Sequence, residues 1–202
     1  MTTIEILVHE HHLILETLHA LESLATRVDA GEKADRQDVL RFADFFRSFA
    51  DACHHGKEED ILFAALIDVG FPRGSGPIGI MLQEHEQGRR HVRRIRELAQ
   101  RPGEWTAEED EAFVGAARGF VDLLRDHIAK EDDILYPMAE AHLPAAELDR
   151  IRELFDLFEA QRSGSGEHRR LLALAEGLIE KYPALPPPNA PSNRRMDSCC
   201  GL

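Results

Sequence analysis

At 202 residues, with 24 Lys and Arg against 37 Asp and Glu, the chain carries a formal net charge of −13. That length suits one ordinary domain that buries a core without disulfides, and that charge repels both a phosphate backbone and an anionic membrane surface, which excludes nucleic acid and membrane as partners. Three cysteines, two of them adjacent at the C-terminus, make no disulfide framework. With no basic leader and no apolar run of about eighteen residues, they point to a reducing compartment, and the expected location is cytoplasmic.

Taken in chain order, the periodicity is helical throughout. Thr2 and Glu5 form a capping box, and Ile4, Leu7, Ile14, Leu18 and Leu21 make one stripe until Gly31. A second pattern runs from about Arg36 to Val69 through Phe42, Phe45, Phe46, Phe49, Leu62 and Leu66, and stops at the loop GFPRGSGP. The third runs from about Ile78 to Gln100, closed by Pro102-Gly103. The fourth opens with the capping box Thr106/Glu109 and continues to about His142. Four long helices with short connections predict an all-α, antiparallel up-down four-helix bundle over residues 1–142. Two further helical stretches make residues 143–182 a C-terminal extension packing on the bundle. The Pro-rich residues 183–202, ending in Cys199-Cys200, read as a disordered tail.

One polar sentence is written twice. HHGKEEDILF begins at His54 and HIAKEDDILY at His127, with six of ten positions identical. In an up-down bundle the second and fourth helices run parallel, so the two copies can sit at one height. His54 with Glu58, and His127 with Glu131, are four residues apart and share a helix face. Steps of three and four from His127 reach Phe120, Leu124, Ile134 and Leu135. Steps from His54 reach Phe46, Ala50, Ile61 and Leu62, whereas His55 shares its line with Ser48 and Asp51. The α-helical period therefore turns His54 inward and His55 outward. The same walk turns His11 inward among Leu7, Ile14 and Leu18, and His85 inward among Ile78, Met81 and Val92.

A core holding His11, His54, Glu58, His85, His127 and Glu131 has buried two carboxylates with no inward Lys or Arg except Arg89, and an unpaired buried carboxylate costs several kcal/mol. A cation is required. Two Glu can each bridge a pair of metal ions while neutral imidazoles complete the shells, and such mixed nitrogen and oxygen donors in a bundle suit iron first, manganese or zinc after it. Imidazole ligands compete with protons, so metal loss is expected below about pH 5 to 6.

These stretches, with EHHLI from Glu10 and EHEQGR from Glu84, resemble the hemerythrin-like, or HHE cation-binding, domain family over roughly residues 1–142. The resemblance implies a non-haem di-iron centre with an oxo or hydroxo bridge. By motif it makes His11, His54, His85 and His127 terminal ligands, and Glu58 and Glu131 bridging carboxylates. Oxygen-carrying members have a second histidine four residues after the one on the third helix; here that position is Arg89, which leaves fewer imidazoles and more open coordination. Glu59, His91 and Asp132 stand as reserve ligands, and His168, heading the last helical stretch, as a further candidate.

The function expected from this is a di-iron protein that binds or senses oxygen, peroxide or nitric oxide, with a protein partner to carry the signal. The alternatives are a catalase-like or peroxidase-like enzyme, and iron storage, delivery or repair of iron–sulfur centres, in which Cys199 and Cys200 would take part. No phosphate loop, nucleophile triad or substrate-pocket motif occurs, so the sequence names no catalytic residue.

Overall fold

The computed structural model describes residues 1–162 and 165–184; the sequence-predicted tail beyond residue 184, with Cys199 and Cys200, lies outside the described residues. Six helices are present among the described residues. Helix α1 is Thr3–Asp29, with the Thr2/Glu5 capping box formed at its start. Helix α2 spans 36–68, begins on an Asp35 cap, and contains two π-helical segments, Phe46–His55 and Glu58–Leu62. Helix α3 is Gly76–Gln100, with a proline in its first turn. Helix α4 spans 107–142, opens with the Thr106/Glu109 capping box, and has a third π-helical segment at Glu131–Leu135. Helices α5 (Ala145–Arg162) and α6 (Ser165–Lys181) follow. No helix of the described residues is long and apolar enough to cross a membrane.

Local chemistry sets the ends. Gly31 and Gly70, just beyond α1 and α2, have φ of 95° and 106°, a backbone region in which a Cβ is strained. The chain then reverses, and α1 packs on α4, α4 on α3, and α3 on α2, which makes the predicted all-α bundle. Helix α6 lies against α1 and α2, and α5 against α1 and the second π segment of α2.

The apolar core is in two pieces. One gathers Phe42, Phe45, Phe46, Phe113 and Phe120 and is covered by Leu171, Ala175, Leu178 and Tyr182 of the last helix and its end. The other gathers Leu7, Phe63, Met81, Leu135 and Tyr136 and is covered by Ile151 and Phe155 of α5. Between them lies a layer of buried histidines and glutamates.

Asp38, fully buried, anchors the end of α6. It accepts hydrogen bonds from the Tyr182 hydroxyl (2.7 Å) and Arg41 (2.9 Å), and Lys181 pairs with it. Burial raises the Asp38 carboxyl, but the bonds from Lys181, Tyr182 and Arg41 outweigh burial and hold it below its usual range. A depressed carboxyl adds stability that is present above its unfolded value and lost as pH falls through the folded one. Tyr182→Phe is therefore expected to cost about 2 kcal/mol, or roughly 4–8 °C in Tm, near neutral pH. In thermal melts the deficit should shrink below about pH 4; a deficit that stays constant with pH would rule out the carboxylate as its source.

Candidate metal centre

The polar layer is built one helix at a time. His11 comes from α1, His54, His55 and Glu58 from α2, His85 from α3, and His127 and Glu131 from α4, and each is 5 % exposed or less. Their Nε2 atoms converge in pairs: His11 to His54 at 2.9 Å, His85 to His127 at 3.0 Å. The two glutamates lie between the pairs. Glu58 Oε2 is 3.7 Å from His54 Nε2 and 3.5 Å from His85 Nε2, and Glu131 is 3.3 Å from His11 Nε2 and 3.1 Å from His127 Nε2.

The opposite face of each imidazole is occupied. His11 Nδ1 meets Asp132 at 2.8 Å, His54 Nδ1 meets Glu10 at 2.8 Å, His85 Nδ1 meets Glu59 at 2.7 Å, and His127 Nδ1 meets Glu84 at 3.0 Å. A carboxylate can only accept, so each Nδ1 carries the proton and each Nε2 aims a lone pair inward unless the ring is an imidazolium. Two lone pairs 3 Å apart repel, so a cation has to sit between them. Glu58 Oε2 and both Glu131 oxygens are also buried and accept no hydrogen bond among the described residues. Orphaned carboxylate oxygens facing converged imidazole nitrogens fit a metal that takes mixed nitrogen and oxygen donors.

Two donor groups have their ligand atoms mutually within 4.8 Å: His11, His54, Glu58 and Glu131 in one, and His55, Glu58, His85 and His127 in the other. Glu58 belongs to both, the arrangement a bridging carboxylate needs. The structure thus brings all six sequence-predicted residues together and adds His55, correcting the outward placement of that ring. The cause is the π-helical segment Phe46–His55, whose hydrogen bonds span one residue more per turn, so the α-helical period loses register and both histidines at its end are buried. His55 stacks on His85 with ring centroids 3.8 Å apart. The third imidazole expected to be lost with Arg89 is therefore offered by α2.

The reserve ligands sort differently. Glu59 and Asp132 serve the Nδ1 sides of His85 and His11. His91 packs over Gly119, where a Cβ would meet its ring at 2.9 Å, and His168 lies beside Phe49; neither joins a donor group. Arg89 binds Asp51 and Glu59 at 2.8 and 2.7 Å, not Glu58 or Glu131. Sequence reasoning missed Glu10 and Glu84, each the residue before a candidate donor histidine, and Tyr136, whose hydroxyl donates to Glu58 Oε1 at 2.8 Å. It also missed Lys57, a fully buried cation that pairs with Glu10 and with Glu159 of α5 at 2.6 Å. Adjacency to a ligand in the chain was the available signal for the two glutamates and for Lys57.

Burial and mutual proximity displace the charges of the layer strongly. Burial opposes protonation, yet Asp132 and Glu131 push the His11 imidazole up to about 9, and Glu131 and Glu84 push His127 up to about 10. Burial and the charge on His11 hold His54 down to about 4. Burial and Glu131 lift Glu58 to about 8, while Glu131, surrounded by His127, His11 and His85, stays well below the carboxylate range despite its burial.

Fold and donors together define a helical bundle whose buried histidine and glutamate layer has the donor atoms to hold metal cations. The profile of the Hemerythrin HHE cation binding domain matches residues 2–139, and the chain belongs to that family. It is 37% identical over 115 residues to the "Iron-sulfur cluster repair protein DnrN" of Neisseria gonorrhoeae, a match that covers 53% of this chain and 62% of that relative's length. No solved structure matches the chain.

Metal must displace the protons on His11 and His127, which leave only near 9 and 10, so affinity should rise steadily from pH 6 to 9 rather than level off above ordinary imidazole values. Chelator competition measures this, and a flat profile would contradict it. His54→Ala and Glu58→Ala are expected to abolish stoichiometric binding. His55→Ala should lower metal content to about half by elemental analysis; undiminished content would assign His55 to packing alone.

Proposed function

We propose that the chain is a cytoplasmic non-haem di-iron protein that maintains iron–sulfur centres under oxidative or nitrosative stress, its iron pair meeting oxygen, peroxide or nitric oxide. The observation that carries the reading is the pair of donor groups sharing Glu58, with orphaned oxygens on both glutamates. His11, His54, Glu58 and Glu131 would hold one ion and His55, His85, His127 and Glu58 the other; manganese and zinc would fit the same donors less well. Iron supplies redox change and affinity for small oxidants and nitric oxide when bound.

The residues of the chain supply the rest. Glu10, Glu59, Glu84 and Asp132 fix the imidazole tautomers and raise nitrogen basicity. The two apolar clusters exclude water above and below the layer. The Tyr136 hydroxyl donates a hydrogen bond to Glu58, the shared carboxylate, and its ring stacks on His11 with centroids 5.5 Å apart. Repair of iron–sulfur centres is favoured over carriage or sensing by the likeness to an iron–sulfur cluster repair protein.

The test mixes iron-loaded chain with an iron–sulfur protein whose cluster has been degraded by peroxide or nitric oxide. Cluster absorbance and acceptor activity should recover with a matching loss of iron from the chain, and should fail with Glu58→Ala. No recovery, together with oxygen evolution from peroxide, would replace repair with a catalase-like enzyme.

A further inference from the structure

Beside the His55, His85 and His127 group, α2, α3 and α4 leave a cavity of about 270 Å³. Its buried wall is apolar, made by Phe46, Ala50, Val92, Phe120 and Leu124, with His55 among them. Its rim is cationic. Arg47 and Arg89 are matched by Asp44 and by Asp51 and Glu59, whereas exposed Arg93 and Arg96 have no carboxylate partner among the described residues. Asp51, the carboxylate in the wall, is neutralised by Arg89 at 2.8 Å. The rim therefore carries uncompensated positive charge on a chain whose net charge is −13. A second observation lies in the same space: His55 Nδ1 is buried and makes no hydrogen bond, with Asp51 Oδ1 3.5 Å away and held by Arg89.

Oxygen, nitric oxide and peroxide need neither this volume nor two unpaired guanidiniums. At about 30 Å³ per water-sized group the cavity holds roughly nine heavy atoms. We propose that it is a binding site for an amphiphilic organic monocarboxylate, the apolar body against Phe46, Phe120 and Leu124 and the carboxylate at Arg93 and Arg96, where planar guanidinium donors match its two oxygens. An occupant lies against His55 and covers that side of the three-imidazole group, so it controls which small molecules reach the site from α2 and α3. Binding of the ligand stands independently of the iron assignment, since Phe46, Phe120, Leu124, Arg93 and Arg96 are not candidate metal donors; control of access to the three-imidazole group rests on that assignment.

Calorimetric titration of the full chain with sodium octanoate, 1-octanol and acetate at fixed ionic strength tests it, iron content being measured on the same samples with and without metal. Octanoate is expected to bind at least tenfold tighter than either control. The double variant Arg93→Gln/Arg96→Gln should weaken octanoate about tenfold and leave octanol unchanged. Gly88→Leu places a side chain in the cavity at a buried helical position where a Cβ meets Phe120 at 3.6 Å, and should abolish octanoate binding while raising helix propensity. Equal affinity for octanoate and octanol, an unchanged double variant, or full binding by a folded Gly88→Leu variant would each overturn the proposal. A chain that binds octanoate but not iron would overturn the metal assignment alone, and one that binds iron but not octanoate the cavity alone.

Discussion

Everything in this bundle is organised around two buried glutamates whose oxygens, Glu58 Oε2 and both of Glu131, face imidazole nitrogens and accept no hydrogen bond. Carboxylates in that position are tolerated only with positive charge beside them, and the histidines that supply or attract it come from all four bundle helices. The layer cuts the apolar core into two clusters. The helices are thus held by hydrophobic packing at both ends and by electrostatics in the middle, and a cation contributes to folding as well as to chemistry.

The supporting carboxylates follow a cyclic rule. Glu10 of α1 orients His54 of α2, Glu59 of α2 orients His85 of α3, Glu84 of α3 orients His127 of α4, and Asp132 of α4 closes the ring on His11 of α1. Each carboxylate neighbours a donor of its own helix in the chain, so each helix both binds and positions. Lys57, Arg89 and Lys130 balance Glu10, Glu59 and Glu84. Through Lys57 the ring reaches Glu159, so α5 is tied by charge to the orientation of His54 and is more than a cover over the second apolar cluster.

The three π-helical segments lie where the donors lie: one ends at His54 and His55, one begins at Glu58, one begins at Glu131. Widening the turn lets adjacent residues face inward together, as His54 with His55 and Lys57 with Glu58 do. With the α-helical period kept, His55 would follow the line of Ser48 and Asp51, and the third imidazole beside His85 and His127 would be missing.

The helices, their caps, their order and the six principal inward residues could be read from the chain because they depend on local chemistry: periodicity, Thr and Glu at fixed offsets, glycine at positive φ. The two repeated segments with their four-residue His and Glu spacing exposed the donor set for the same reason. What lay beyond the sequence depended on register between helices. The inward turn of His55 required the π segment. The partners of Nδ1 required knowing which helix neighbours which, and the pairing of Lys57 with Glu159 joins residues 102 apart in the chain. The arginine-rimmed cavity is a gap left by three helices, and only their packing, which no single segment encodes, could decide that it exists.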